Sequence, residues 1–170
     1  MISKKLQDAI NAQINRELFS EYLYISMQAW FANQNLDGCA NWMDAQGKEE
    51  RFHAMKFFNY VIERGGKVEL KAIEQPTIDF ETPLKAFMAA LNHEQFITKS
   101  INDLMDLAIK EKDHASRGLL QWYVDEQVEE ESAADKIVSR LKMIGSDIHA
   151  LFMLDSELGQ RVFTPPVAPA

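Results

Sequence analysis

The chain has little of what staples, breaks or anchors a fold. One of its 170 residues is cysteine, Cys39, so no disulfide closes within the chain, no thiolate cage for zinc can be built, and a reducing compartment suits it. Seven glycines and five prolines sit mainly between long segments, which excludes collagen-like and low-complexity classes. Positive charge is scarce. Eighteen Lys and Arg face 26 Asp and Glu, a net charge of −8, which argues against a binder that tracks nucleic-acid phosphates. Long apolar runs are missing too: the longest uncharged stretch, Tyr22 to Leu36, contains Gln28, Asn33, Gln34 and Asn35 and is too short and polar to span a bilayer. The start, Met1-Ile2-Ser3-Lys4-Lys5, leads into polar residues rather than the apolar segment of a secretory signal. The expectation is one cytoplasmic domain over 1–170, without membrane or nucleic-acid partners.

What is present is helical periodicity, with no strand-like alternation longer than the stretch around Lys67–Ile78 can supply. Leu6, Ile10, Ile14, Tyr24 and Phe31 form one stripe and Met43, Phe57 and Val61 a second. Phe87, Leu91, Ile101 and Met105 form a third, and Leu120, Tyr123, Ala134, Ile137 and Leu141 a fourth. The predicted helices are 4–33, 38–64, 83–111, 114–144 and a short fifth at 147–158, followed by a Pro-rich tail at 164–170. Asp37 is expected to cap the second helix, Thr82 with Pro83 to open the third, Asp113 to cap the fourth and Ser146 the fifth. Gly65-Gly66 stops the second. Short connections make helix pairs antiparallel. A helix of nearly thirty residues is about 40 Å long, and the sixteen residues from Gly66 to Glu81 can extend about 50 Å. The fold class is therefore all-α: a four-helix bundle with one long crossover that leaves the second and third helices parallel, plus the short fifth helix.

Acidic residues interrupt the apolar stripes. Glu17 stands seven residues after Ile10 and seven before Tyr24; Glu50 stands seven after Met43 and seven before Phe57, with His53 three further on. Glu94, Gln127 and Glu130 fall on the same faces as Leu91, Leu120 and Ile137. The spacing repeats: Glu17 to Glu50 and Glu94 to Gln127 are both 33 residues, Glu17 to His53 and Glu94 to Glu130 both 36. Glu17, His53, Glu94 and Glu130 all lie 18 residues from their hairpin turn, so they share one height in the bundle. Buried carboxylates need a partner, and no Lys or Arg shares these helix positions. Two divalent metals would supply the charge, with Glu50 bridging, Glu17 and His53 completing one site, and Glu94 and Glu130 the other. Gln127 is the weaker ligand type, suited to a hydrogen bond beside the metals. Oxygen-rich donors with one imidazole suit iron or manganese better than zinc.

The segments Asn15-Arg16-Glu17-Leu18 with Glu21-Tyr22-Leu23-Tyr24, Lys48-Glu49-Glu50-Arg51-Phe52-His53-Ala54, Asn92-His93-Glu94 and Gln121-Trp122-Tyr123-Val124-Asp125-Glu126-Gln127-Val128-Glu129-Glu130-Glu131 resemble the bacterial non-haem ferritins, from about Leu6 to Leu158. The resemblance implies a ferroxidase centre in which Glu17, Glu50 and His53 bind one iron and Glu50, Glu94 and Glu130 the second, with Gln127 close by. It implies oxidation of Fe(II) by O2 or H2O2 and storage of a hydrous ferric oxide inside a hollow 24-subunit homo-oligomer, whose four-fold axis the fifth helix would line. It further implies a third iron site at Glu49, Glu126 and Glu129, although Ile10 stands where some members carry an added carboxylate. Tyr24 matches the family's tyrosine near the centre, which could lend an electron or hold a ligand by hydrogen bond.

Other ferritin-like readings differ at named positions. A bacterioferritin would carry a second Glu-x-x-His, where this chain has Gln127 and Glu130, and a haem-binding Met where it has Arg51; no haem is expected. A rubrerythrin would need Cys-x-x-Cys pairs. Small DNA-protecting cages build their site between subunits. Another di-iron detoxifying protein, or a non-catalytic helical cage subunit, is the remaining alternative.

Overall fold

The computed structural model describes residues 2–166. The last part of the expected Pro-rich tail, 167–170, lies outside the described residues. Five helices follow in order: α1 Lys4–Asn33, α2 Asp37–Glu63, α3 Pro83–Lys110, α4 His114–Ile144 and α5 Ile148–Leu158. No strand occurs among the described residues, and the stretch around Lys67–Ile78 is an irregular connector. No helix among them is long and apolar enough to cross a membrane.

Local chemistry accounts for the helix ends. The Ser3 hydroxyl accepts from the Leu6 amide, Thr82 from Lys85 with Pro83 opening the helix, and Asp113 from Ser116. Asn35 and Gly65 take positive φ just past α1 and α2, a conformation that Asn and Gly adopt at lowest cost. Two expected caps are corrected. Asp37 is the first helical residue of α2, and Leu36, which has no capping side chain, precedes it. The cap comes from far away in sequence: Asp155 of α5 accepts from the Cys39 amide at 2.7 Å. The α5 cap is Asp147, accepting from His149 and Ala150, rather than Ser146.

Cross-helix bonds set the directions. Gln13 meets Ser100 and Tyr24 meets Glu94, so α1 and α3 are antiparallel. Gln46 meets Glu130 and Arg64 meets Asp113, so α2 and α4 are antiparallel. The short α1–α2 and α3–α4 turns close the hairpins, which leaves α2 parallel to α3. The connector 64–82 returns along α1 on a ladder of side-chain bonds: Asn11 donates to Lys67 O and accepts from Glu69 N, Asn15 accepts from Lys71 N, Ser26 donates to Thr77 O, and the Trp30 indole donates to Asp79. These bonds satisfy a backbone that has no secondary structure of its own.

The apolar interior falls into two clusters. One holds Tyr24, Phe31, Met43, Phe87 and Ile137; the other holds Leu6, Ile10, Ile14, Phe57, Ile101, Leu120 and Tyr123. Between them lies a buried polar layer of Gln13, Glu17, Gln46, Glu50, His53, Glu94, Gln127 and Glu130, each no more than 6% exposed.

Candidate metal centre

Each of the four long helices contributes to that layer because an acidic or amide residue stands where its stripe calls for an apolar one. Donor atoms of Glu17, Glu50 and His53 lie within 4.8 Å of one another, and so do those of Glu50, Glu94 and Glu130. Glu50 belongs to both triads. The two sets are the pair the spacing pointed to.

The electrostatics of this layer are unfavourable without added positive charge. Burial is the main cause that raises the carboxyls of Glu17, Glu50, Glu94 and Glu130 above their ordinary value; neighbouring carboxylates push Glu50 and Glu130 further up. Within this layer four buried atoms have no hydrogen-bond partner among the described residues: Glu17 Oε2, Glu50 Oε2, His53 Nε2 and Glu130 Oε1. Native proteins seldom leave such atoms unsatisfied. All four belong to the two triads and all four can act as metal donors, so the donor set fits a pair of hard cations.

The remaining oxygens are held in place. Gln13 donates to Glu17 Oε1 at 2.7 Å, and Gln46 to both Glu50 Oε1 and Glu130 Oε2. Tyr24 donates to Glu94 Oε1. Gln127 reaches the other Glu94 oxygen at 3.4 Å and Thr98 at 3.2 Å. The Tyr123 hydroxyl donates to the His53 carbonyl at 2.8 Å and its ring stacks on Phe57. Each carboxylate thus has one oxygen fixed by the protein while its second remains free or accepts a weaker bond, a division of labour suited to orienting metal ligands.

Among the expected third-site residues, Glu49 and Glu126 lie within 4.8 Å of donors from His53 and Glu130. Glu129 is exposed and is in none of the three groups. Trp122 packs edge-on to His53 with the Lys56 ammonium 3.6 Å over its ring. Cys39 is buried near the start of α2, where burial pushes its thiol up. Sequence reasoning did not reach three contributors. Gln13 and Gln46 each precede a ligand-type Glu by four residues, a repeat that could have been found. Arg161 could not: it follows α5 in an aperiodic segment, yet its guanidinium pairs with Glu49 Oε2 at 2.7 Å.

The ferritin-like domain pattern matches residues 7–144. The bacterial non-heme ferritin of Staphylococcus aureus (strain USA300) is 40% identical over 163 residues, covering 96% of this chain and 98% of the relative. The chain belongs to the ferritin family. The bacterial non-heme ferritin of Staphylococcus haemolyticus is 39% identical over the same length. Among solved ferritins, an engineered closed form of the Archaeoglobus fulgidus protein superposes with a TM-score of 0.95 at 49% identity, covering 96% of this chain and 100% of that one. The open-pore ferritin of the same archaeon gives 0.93 at 49%, covering 95% and 99%. The four-helix bundle with a short C-terminal helix is therefore the ferritin fold.

Proposed function

We propose that this chain is an iron-storage ferritin with ferroxidase activity. It would act as one ferritin-like domain in a cytoplasmic 24-subunit cage. The observation that carries the reading is the pair of buried triads sharing Glu50, whose residues hold four partnerless donor atoms. Glu17, Glu50 and His53 hold one Fe(II), and Glu50, Glu94 and Glu130 the other. Iron here is substrate and cargo, and no haem is assigned.

The residues set the chemistry. A shared carboxylate keeps two Fe(II) close enough for each to give one electron to the same oxidant, so O2 is reduced to H2O2, or H2O2 to water. Both reactions consume two protons, and hydrolysis of Fe(III) afterwards releases more. Tyr24 and Gln127 hold the two oxygens of Glu94. They fix that ligand and place a phenol beside the centre that can supply an electron. Few donors hold each metal, which suits release of Fe(III) toward the cavity rather than permanent retention. Glu49 and Glu126, beside Glu130, form the proposed third site, with Glu129 on its exposed rim.

The test is anaerobic Fe(II) titration followed by rapid mixing with O2. The parent should bind about two tight irons per chain and show a fast ferric phase; Glu50→Ala, which touches both sites, should lose about 100-fold or more in rate, beyond the roughly 10–100-fold typical of removing a ligand's orienting partner. Equal rates in parent and variant would refute the centre and leave a non-catalytic cage subunit.

A further inference from the structure

The C-terminal segment after α5 folds back over α2 beside the acidic group. Asn41 Nδ2 donates to Arg161 O at 2.9 Å and to Gly159 O at 3.3 Å, fixing the backbone. The Arg161 guanidinium lies 4.4 Å from the Trp42 ring centroid and pairs with Glu49. Phe163 continues along the same strap against Phe52, 6.1 Å between ring centres. Arg161 Nη1 is buried without an acceptor. The guanidinium is therefore held by charge and stacking rather than by a full set of hydrogen bonds.

We propose that Arg161 is a built-in counter-cation that occupies Glu49 and must leave it before the group Glu49, Glu126 and Glu130 can take a third metal ion. This rests on the dinuclear reading above. Among the described residues, Glu49 is the one carboxylate of the group in a direct ion pair with an Arg or Lys side chain. The partnerless Glu130 Oε1 and His53 Nε2, 3.9 Å apart, lie on its inner side. A metal arriving there meets a fixed positive charge on one of its ligands. Arg161 thus makes the third site weak and keeps it a transit point between the pair and the solvent. When the guanidinium swings off, Glu49 becomes free; when the metal has left, the guanidinium restores the neutralised state. Arg161 is a positioning residue in this scheme and touches no reacting atom of the dinuclear pair.

The experiment is anaerobic Fe(II) equilibrium dialysis on the full-length parent, Arg161→Gln and Arg161→Lys. Arg161→Gln should retain the tight pair and strengthen the third iron about tenfold, the scale expected from removing one nearby like charge. Arg161→Lys, which keeps the charge, should stay close to the parent. A strap that merely stabilises the fold would give weaker binding on substitution, so the direction of change separates the two roles. A third iron bound equally or more weakly in Arg161→Gln overturns the proposal, as does loss of the tight pair in that variant alone. Absence of the tight pair in the parent too would instead refute the dinuclear reading, and the counter-cation role with it.

Discussion

At the scale of the residue, the layer joins four carboxyls that each pay a desolvation cost. Folded, Glu17, Glu50, Glu94 and Glu130 hold their protons to higher pH than the ordinary value of 4.5. The unfolded chain releases those protons near 4.5. Above that pH the folded state binds more protons than the unfolded one, so metal-free stability is complete below about 4.5 and falls as pH rises toward the folded values. Each pH unit over which one such proton is retained costs about 1.4 kcal/mol, or a few degrees in Tm for a chain of this size. With chelator present, Tm should fall between pH 5 and 7. At pH 7, redox-inert Zn(II) should raise it by replacing the protons, and Glu50→Gln should flatten the metal-free pH dependence. A metal-free Tm that climbs across this interval would contradict the burial of unpaired carboxyls. Asp113 does not interfere: Arg64 holds its carboxyl down at about 2, so its own contribution is lost only below about pH 4.

At the scale of the element, the helices were legible in the sequence because each carries its own stop signals and stripe. The expected and observed ends agree within one residue, and α1 and α4 match at both. The buried ligand-type residues were legible for the same reason: Glu17, Glu50, Glu94 and Glu130 occupy positions whose neighbours seven residues away on either side are apolar or aromatic, Ile10 and Tyr24, Met43 and Phe57, Phe87 and Ile101, Tyr123 and Ile137. What could not be read were contacts that bring distant segments together. Asp37 is a good capping residue in the expected place, yet Asp155, 116 positions from Cys39, does the capping. Glycine allows it: a Cβ on Gly38 would stand 1.7 Å from Asp155 O. α5 therefore docks on the α2 N-terminus through one carboxylate and one missing side chain. Asp155→Ala should cost about 1 kcal/mol, the usual worth of an N-cap. Gly38→Ala should be worse, because the atom it meets is backbone. Thermal melts would check the ranking, and a Gly38→Ala protein as stable as the parent would disprove the close docking. The same logic covers Arg161, whose role depends on where α5 delivers the chain and on no local pattern.

At the scale of the whole molecule, the arrangement explains why a bundle accepts a charged layer through its middle. Two apolar clusters, one on each side, supply the core, and the polar layer between them is tolerated because protons or metals neutralise it. The outside is less self-sufficient. On α5, Ile148, Phe152 and Met153 are 56–75% exposed; on α1 and the connector, Tyr22, Ile25, Ile73 and Ile78 are 41–67% exposed. Two apolar faces on different sides of one chain suit a closed assembly with more than one kind of contact. In the proposed cage, copies meeting around an axis would cover the α5 face, as the resemblance of this helix to the four-fold helix of ferritin cages implies. Light scattering of the parent should give a particle twenty-four times the 19.5 kDa chain. Phe152→Asp places charge in the proposed contact and should yield smaller species, while helix content by circular dichroism stays at the parent value because Phe152 is exposed in the isolated chain. A parent that remains monomeric at micromolar concentration would remove the cage from the proposed function. A Phe152→Asp protein that still assembles fully would instead confine the error to the α5 contact, and would shift the weight of assembly to the face formed by α1 and the connector.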